Sequence, residues 1–157
     1  MRAALGAQPA FAGDVKTITV DLRIGVAFTE TIGPGDSLKC PVIGQINGNG
    51  YSTVLGAVGI QSTDCILPAD ATFSSFKFSS YPRVTLTTRN GDEIWGTYDG
   101  IATGAPPPIA SISATLTIAG GTGRYKNASG SATIEGVENI GLMPAVGVLV
   151  ISGKLSY

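Results

Sequence analysis

Residues 15–31 read VKTITVDLRIGVAFTET. Ile18, Val20, Leu22, Ile24, Val26 and Phe28 fall on one side of a period of two, and Thr17, Thr19, Asp21, Arg23, Ala27 and Thr29 on the other. Successive side chains of a strand point to opposite faces, so this alternation marks a half-buried β-strand. A run this long is expected to bend, and Gly25 is the place for a bend or bulge. Gly33-Pro34-Gly35-Asp36 then ends it.

Shorter stretches repeat the pattern. Val42–Asn47 meets Asn47-Gly48-Asn49-Gly50, which reads as a turn, and Tyr51–Ser62 follows. Thr72–Ser79 places Phe76 and Phe78 on one face. Val84–Arg89 ends at Asn90-Gly91-Asp92, a hairpin signal, and Glu93–Thr103 is next. Pro106-Pro107-Pro108 precedes Ser111–Ala119, which is followed by Ser131–Val137 and Val146–Tyr157. No stretch has the periodicity of an amphipathic helix. Eight or nine strands joined mostly by short links imply an all-β, antiparallel up-and-down barrel. Residues 13–157 read as its single domain.

The last strand is apolar on both faces, with Val146, Val148 and Val150 on one and Leu149, Ile151 and Leu155 on the other. Burial on both sides implies a cover over the barrel exterior, from an N-terminal segment or another subunit. A homo-oligomer, dimer or trimer, is therefore expected.

Composition removes whole classes of function. The chain has 157 residues, 22 Gly, 2 Cys and no His. Without His there is no Ser-His-Asp or Cys-His catalysis, and no cofactor or metal is expected. Ten basic against eleven acidic side chains give a net charge of -1, with no basic cluster for nucleic acid. Hydrophobic residues make up 43% of the chain, so a packed core is expected rather than disorder. No run of about 20 apolar residues exists to span a membrane as a helix.

Two features point to export. Ala10-Phe11-Ala12 fits the small-x-small pattern of a signal-peptide cleavage site, so residues 1–12 read as a residual signal-peptide tail or a disordered N-terminus. Cys40 and Cys65 lie near strand ends, where one intramolecular disulfide or two free thiols fit; the exported setting favours the disulfide. A secreted or periplasmic location follows.

The segment from Ile118 to Ile134 reads IAGGTGRYKNASGSATI. It lacks the Gly-Lys-Ser/Thr of a phosphate loop and is not followed by a helix. Its Gly120-Gly-Thr-Gly-Arg-Tyr125, followed by Ala128 and Gly130, resembles a pattern in the allene oxide cyclase and dirigent superfamily of β-barrels. Within it the chain is similar to small exported bacterial proteins of unassigned function. Gly48–Gly56, Asp64-Cys65, Leu86–Tyr98 and Ile151–Tyr157 fit the same group. The resemblance implies an eight-stranded antiparallel, calycin-like barrel, often trimeric, that holds a reactive intermediate in its cavity.

Few ionisable groups fall on the strands. In Glu93–Thr103, Trp95, Thr97 and Asp99 share one face, while Ile94, Gly96, Tyr98 and Gly100 share the other; the sequence leaves open which is inward. Tyr98, Asp99, Arg89, Glu30 and Glu135 are the candidate catalytic residues. Trp95, Tyr98, Phe76 and Phe78 are the candidate ligand contacts. Three functions are expected in order: a non-catalytic exported barrel binding a small hydrophobic ligand; a cofactor-independent cyclase or isomerase acting by confinement; and a structural protein whose barrel is filled by side chains. A buried, unpaired ionisable group in a cavity favours the second.

Overall fold

The structure, a computed structural model, describes residues 16–71, 74–104 and 108–157. The proposed signal-peptide tail at residues 1–12 lies outside the described residues. Eight strands follow one another: β1 (Thr19–Pro34), β2 (Val42–Ser52), β3 (Gly56–Pro68), β4 (Ser75–Thr88), β5 (Glu93–Gly104), β6 (Ile109–Gly121), β7 (Ser129–Asn139) and β8 (Ala145–Ser156). Each pairs antiparallel with its sequence neighbour. β8 returns to β1 from Thr19↔Ser156 to Glu30↔Ala145, closing the barrel. Closure pairs every strand on both sides and leaves no free sheet edge.

The alternation of residues 15–31 becomes the inside and outside of this barrel. Leu22, Ile24, Val26, Phe28 and Glu30 are buried, and the residues between them are exposed. Gly25 is not a bulge, because the register runs unbroken through Gly25↔Tyr51 and Gly25↔Val150. The expected turn at Asn47–Gly50 is likewise absent. β2 passes straight through it, and the chain reverses between Ser52 and Gly56. Gly48 and Gly50 serve close packing instead: a Cβ at either would press on the β1 backbone and on Phe28, Ile24 or Val26. The start of the segment expected at 72–79 lies outside the described residues; the rest of it and the segment at 84–89 run together in one strand, β4, whose register shifts between Ser79 and Val84. Pro82 lies there and has no N–H to give to the ladder. Eight strands result rather than nine.

One end of the barrel is plugged. Leu22, Ile24, Leu55, Ile118, Ala128 and Leu155 form a buried core there. A single 3-10 turn, Gly123–Tyr125, follows β6 and drives the Tyr125 ring inward, its centroid 5.0 Å from that of Tyr157. Arg124 stays outside, with its guanidinium 5.1 Å from the Tyr157 ring centroid. Toward the opposite end the strands enclose a cavity.

Cys40, in the β1–β2 connection, and Cys65, in β3, stand at disulfide distance with Cα atoms 5.4 Å apart. That lies within the usual disulfide span. Both are buried. On the outer face of β8, Val146 and Val148 are exposed, as is neighbouring Val137 of β7. Among the described residues no helix is long and apolar enough to cross a membrane.

Candidate functional site

The cavity has a volume of about 450 Å³. Its inner walls are apolar, formed by residues such as Phe28, Ile60, Leu86, Leu116, Ile134 and Ile151. Ile32, Val42, Ile66, Pro68, Phe76 and Ile140 line it nearer the loop end. Between these apolar zones the inward-facing series of alternate strands each turn polar. β1 supplies Glu30, β3 supplies Ser62 and Asp64, β5 supplies Tyr98 and β7 supplies Glu138.

Small residues make this convergence possible. Glu30 is cross-strand from Ile46 of β2, and the next inward β2 position, Gly44, is cross-strand from Asp64. A Cβ on Gly44 would overlap the Glu30 carboxyl, so the bare glycine lets that group lean over β2 toward β3. On the other side, β8 places Ala145 opposite Glu30 and Gly147 opposite Glu138. The Phe28 ring lies over Gly147, where a Cβ would strike it.

The hydrogen bonding is incomplete. The Tyr98 hydroxyl donates to Asp64 Oδ1 and lies 2.6 Å from Ser62 Oγ. The Tyr98 backbone N–H donates to Ser80 Oγ at 3.0 Å, fixing the strand beside the β4 irregularity. The Tyr98 ring packs against Phe78 with centroids 5.9 Å apart. Glu30 and Glu138 are 4% and 6% exposed, yet the Oε1 atom of each is buried without a partner. An unpartnered buried polar atom costs roughly 1–3 kcal/mol, so native folds seldom keep one without a use.

Electrostatics follow from that burial. Desolvation above all, then the neighbouring Glu138 carboxyl and after it Asp64, push the Glu30 carboxyl up to about 10. Desolvation also pushes Asp64 up to about 7, against the Tyr98 hydrogen bond, which lowers it. Burial, and next the Asp64 charge, raise the Tyr98 phenol far above its ordinary value. None of the described cavity-lining residues is Lys or Arg, so no ion pair offsets the burial of charge, and Glu30 is held in its neutral form. The chemistry available is hydrogen-bond donation and proton donation inside an apolar enclosure.

Of the candidate residues, the structure brings Glu30, Tyr98, Phe76 and Phe78 to the cavity. The glycine face of β5 is inward, which puts the others elsewhere. Asp99 is exposed on the outer face of β5, and Glu135 on that of β7. Arg89 is exposed at the β4–β5 turn. Trp95 also faces outward, with its Nε1–H donating to Glu93 Oε2 at 2.8 Å and the Arg83 guanidinium 4.1 Å from its ring centroid. In each case the period of two decides, because odd-numbered β5 and β7 residues point away from the axis.

Asp64 and Glu138 are absent from the candidates drawn from sequence. The signal for both was parity. Val58, Ile60, Ser62 and Asp64 are one inward series, as are Ala132, Ile134, Gly136 and Glu138. Among the described residues, no three His, Cys, Asp or Glu side chains are grouped so as to hold a metal ion. No protein-family model matches this chain, and no curated protein matches it at a significant level.

Proposed function

We propose that the protein is an exported barrel that binds a small, largely apolar molecule in its cavity without transforming it. The observation carrying this reading is the cavity: about 450 Å³ and apolar over most of its lining. Sites for small molecules span roughly 300–1,000 Å³ and combine apolar walls with a few convergent polar groups. A barrel filled by its own side chains, as a purely structural role would allow, fits this interior poorly. The Cys40–Cys65 pair supports a secreted or periplasmic setting, where disulfides persist. The eight-stranded closed barrel agrees with what the resemblance to the allene oxide cyclase and dirigent superfamily implies. The exposed Val146, Val148 and Val137 supply an apolar outer strip for a homo-oligomer contact.

A second reading, a cofactor-independent cyclase or isomerase acting by confinement, is favoured by the carboxyl cluster. A carboxyl still protonated at neutral pH is a general acid poised inside a dry enclosure, and a held substrate needs little more than shape and a proton. Native mass spectrometry of protein exported to the periplasm tests the first reading. A mass above a multiple of the bare chain identifies a retained molecule, and the same spectrum counts subunits. Clean multiples after export, together with no uptake of added apolar compounds, would sink it.

A further inference from the structure

We propose that the ligand of this cavity is a lipophilic ammonium ion, a small organic amine whose charged nitrogen sits among Glu30, Asp64 and Glu138 while its apolar body fills the walls. The inference deepens the small-molecule reading above and rests on it.

Charge is the first argument. Three acidic side chains from β1, β3 and β7 face one enclosure that, among the described residues, holds no basic one. Tyr98 from β5 is the one other titratable group lining it; the residues from β2, β4, β6 and β8 that line it are apolar. An anionic ligand would add repulsion to this set. A neutral apolar one would leave its buried acceptors as they are. A cation is what they lack.

The second argument is the unpaired oxygens. Glu30 Oε1 and Glu138 Oε1 are each buried with no hydrogen-bond partner. An ammonium group carries three donors and no acceptor, which complements acceptors in that state. Phe28, Phe76, Phe78 and Tyr98 add aromatic rings to the lining, and a cation gains further from a ring face.

The third argument separates an organic cation from a metal ion. Among the described residues, no three His, Cys, Asp or Glu side chains are arranged so as to hold a metal ion. A metal ion would also leave the apolar volume around them empty, whereas an amine with a hydrocarbon body uses both.

Proton balance is explicit. With a neutral carboxyl, R–NH3⁺ enters, the carboxyl O–H bond breaks, the carboxylate pairs with the ammonium, and one proton leaves to solvent. Binding therefore weakens as pH falls below the range in which Asp64 titrates, about 7.

Isothermal titration calorimetry with octylamine and octan-1-ol tests this on the full chain. At pH 8 octylamine is expected to bind at least tenfold more tightly than octan-1-ol. At pH 5.5 its affinity falls at least tenfold, while that of octan-1-ol changes little. At pH 6, titrations in two buffers of different ionisation heat are expected to show protons released on amine binding. The Glu30→Gln/Asp64→Asn/Glu138→Gln triple variant is expected to keep octan-1-ol and lose the amine preference. Equal affinities at pH 8, or a preference that survives in the triple variant, overturn the ammonium assignment and leave the small-molecule reading standing. Binding of neither compound overturns both. The wild-type comparison decides alone if the triple variant does not fold.

Discussion

The carboxyl of Glu30 occupies the place that any side chain on Gly44 would need. One residue supplies the acid and another, on the adjacent strand, supplies the vacancy it leans into. Gly44→Ala is therefore expected to destabilise the barrel by about 1–3 kcal/mol, since the displaced group has no comparable niche. Glu30→Ala should relieve much of that, giving a coupling of roughly 0.5–3 kcal/mol in a double-mutant cycle read by urea unfolding. Strict additivity would show that the two residues do not share the space.

The Tyr98 hydroxyl is the named donor to Asp64 Oδ1. Tyr98→Phe removes that donor and leaves the carboxyl oxygen buried, at an expected cost of about 1–3 kcal/mol. Because the hydrogen bond lowers the Asp64 carboxyl, its loss should raise that group further above about 7. Carboxyl carbon NMR titration of the variant checks the direction; a downward move would contradict the assigned role.

Stability should fall with rising pH, the reverse of the common carboxylate case. Glu30 and Asp64 ionise near 4.5 and 3.8 in an unfolded chain, but near about 10 and about 7 when folded. Between those values the native state holds the extra protons, so the advantage is complete below about pH 4 and is lost as pH climbs. Each group in that window costs up to about 1.4 kcal/mol per pH unit. The Asp64 share is spent near pH 7, and the Glu30 share continues to decline above it. The urea midpoint should thus fall between pH 5 and 8. Glu30→Gln should flatten the slope and raise stability at pH 8 by roughly 1–4 kcal/mol.

Cys40 and Cys65 are 25 residues apart in sequence and tie the β1–β2 connection to β3. In the chain-entropy account, closing such a loop stabilises by about 3.5 kcal/mol. The Cys40→Ser/Cys65→Ser variant should lose roughly 2–4 kcal/mol of unfolding free energy. Peptide mass mapping without reductant should recover the two cysteines in one linked fragment; two free thiols would refute the pairing.

The barrel was legible because period-two alternation is both a local and a global statement: what faces one side of β1 faces the interior of the whole closed sheet. Turns were harder. Asn47-Gly48-Asn49-Gly50 carries turn chemistry, yet its glycines answer to neighbours on β1 that only the pairing register reveals. The site was half legible for the same reason. Tyr98, Phe76 and Phe78 stood out as aromatics, and Glu30 as an acid within the decisive stretch. Asp64 and Glu138 went unnamed, since their inward direction follows only when parity is carried through the polar break in each series, on to Ile66 and Ile140. That three acids meet is a property of β2 and β8, whose small residues separate them, and no single segment encodes it.

The tyrosine-stoppered end gives this vessel a floor. A molecule that enters at the other end must leave by the same route. Whichever part of a guest is most polar has to cross a greasy collar ahead of the rest or be dragged through it last. Exchange should therefore be slow for guests that carry their polar group at one tip and quick for those without one. Residence time, more than affinity, would then distinguish the molecules this barrel retains.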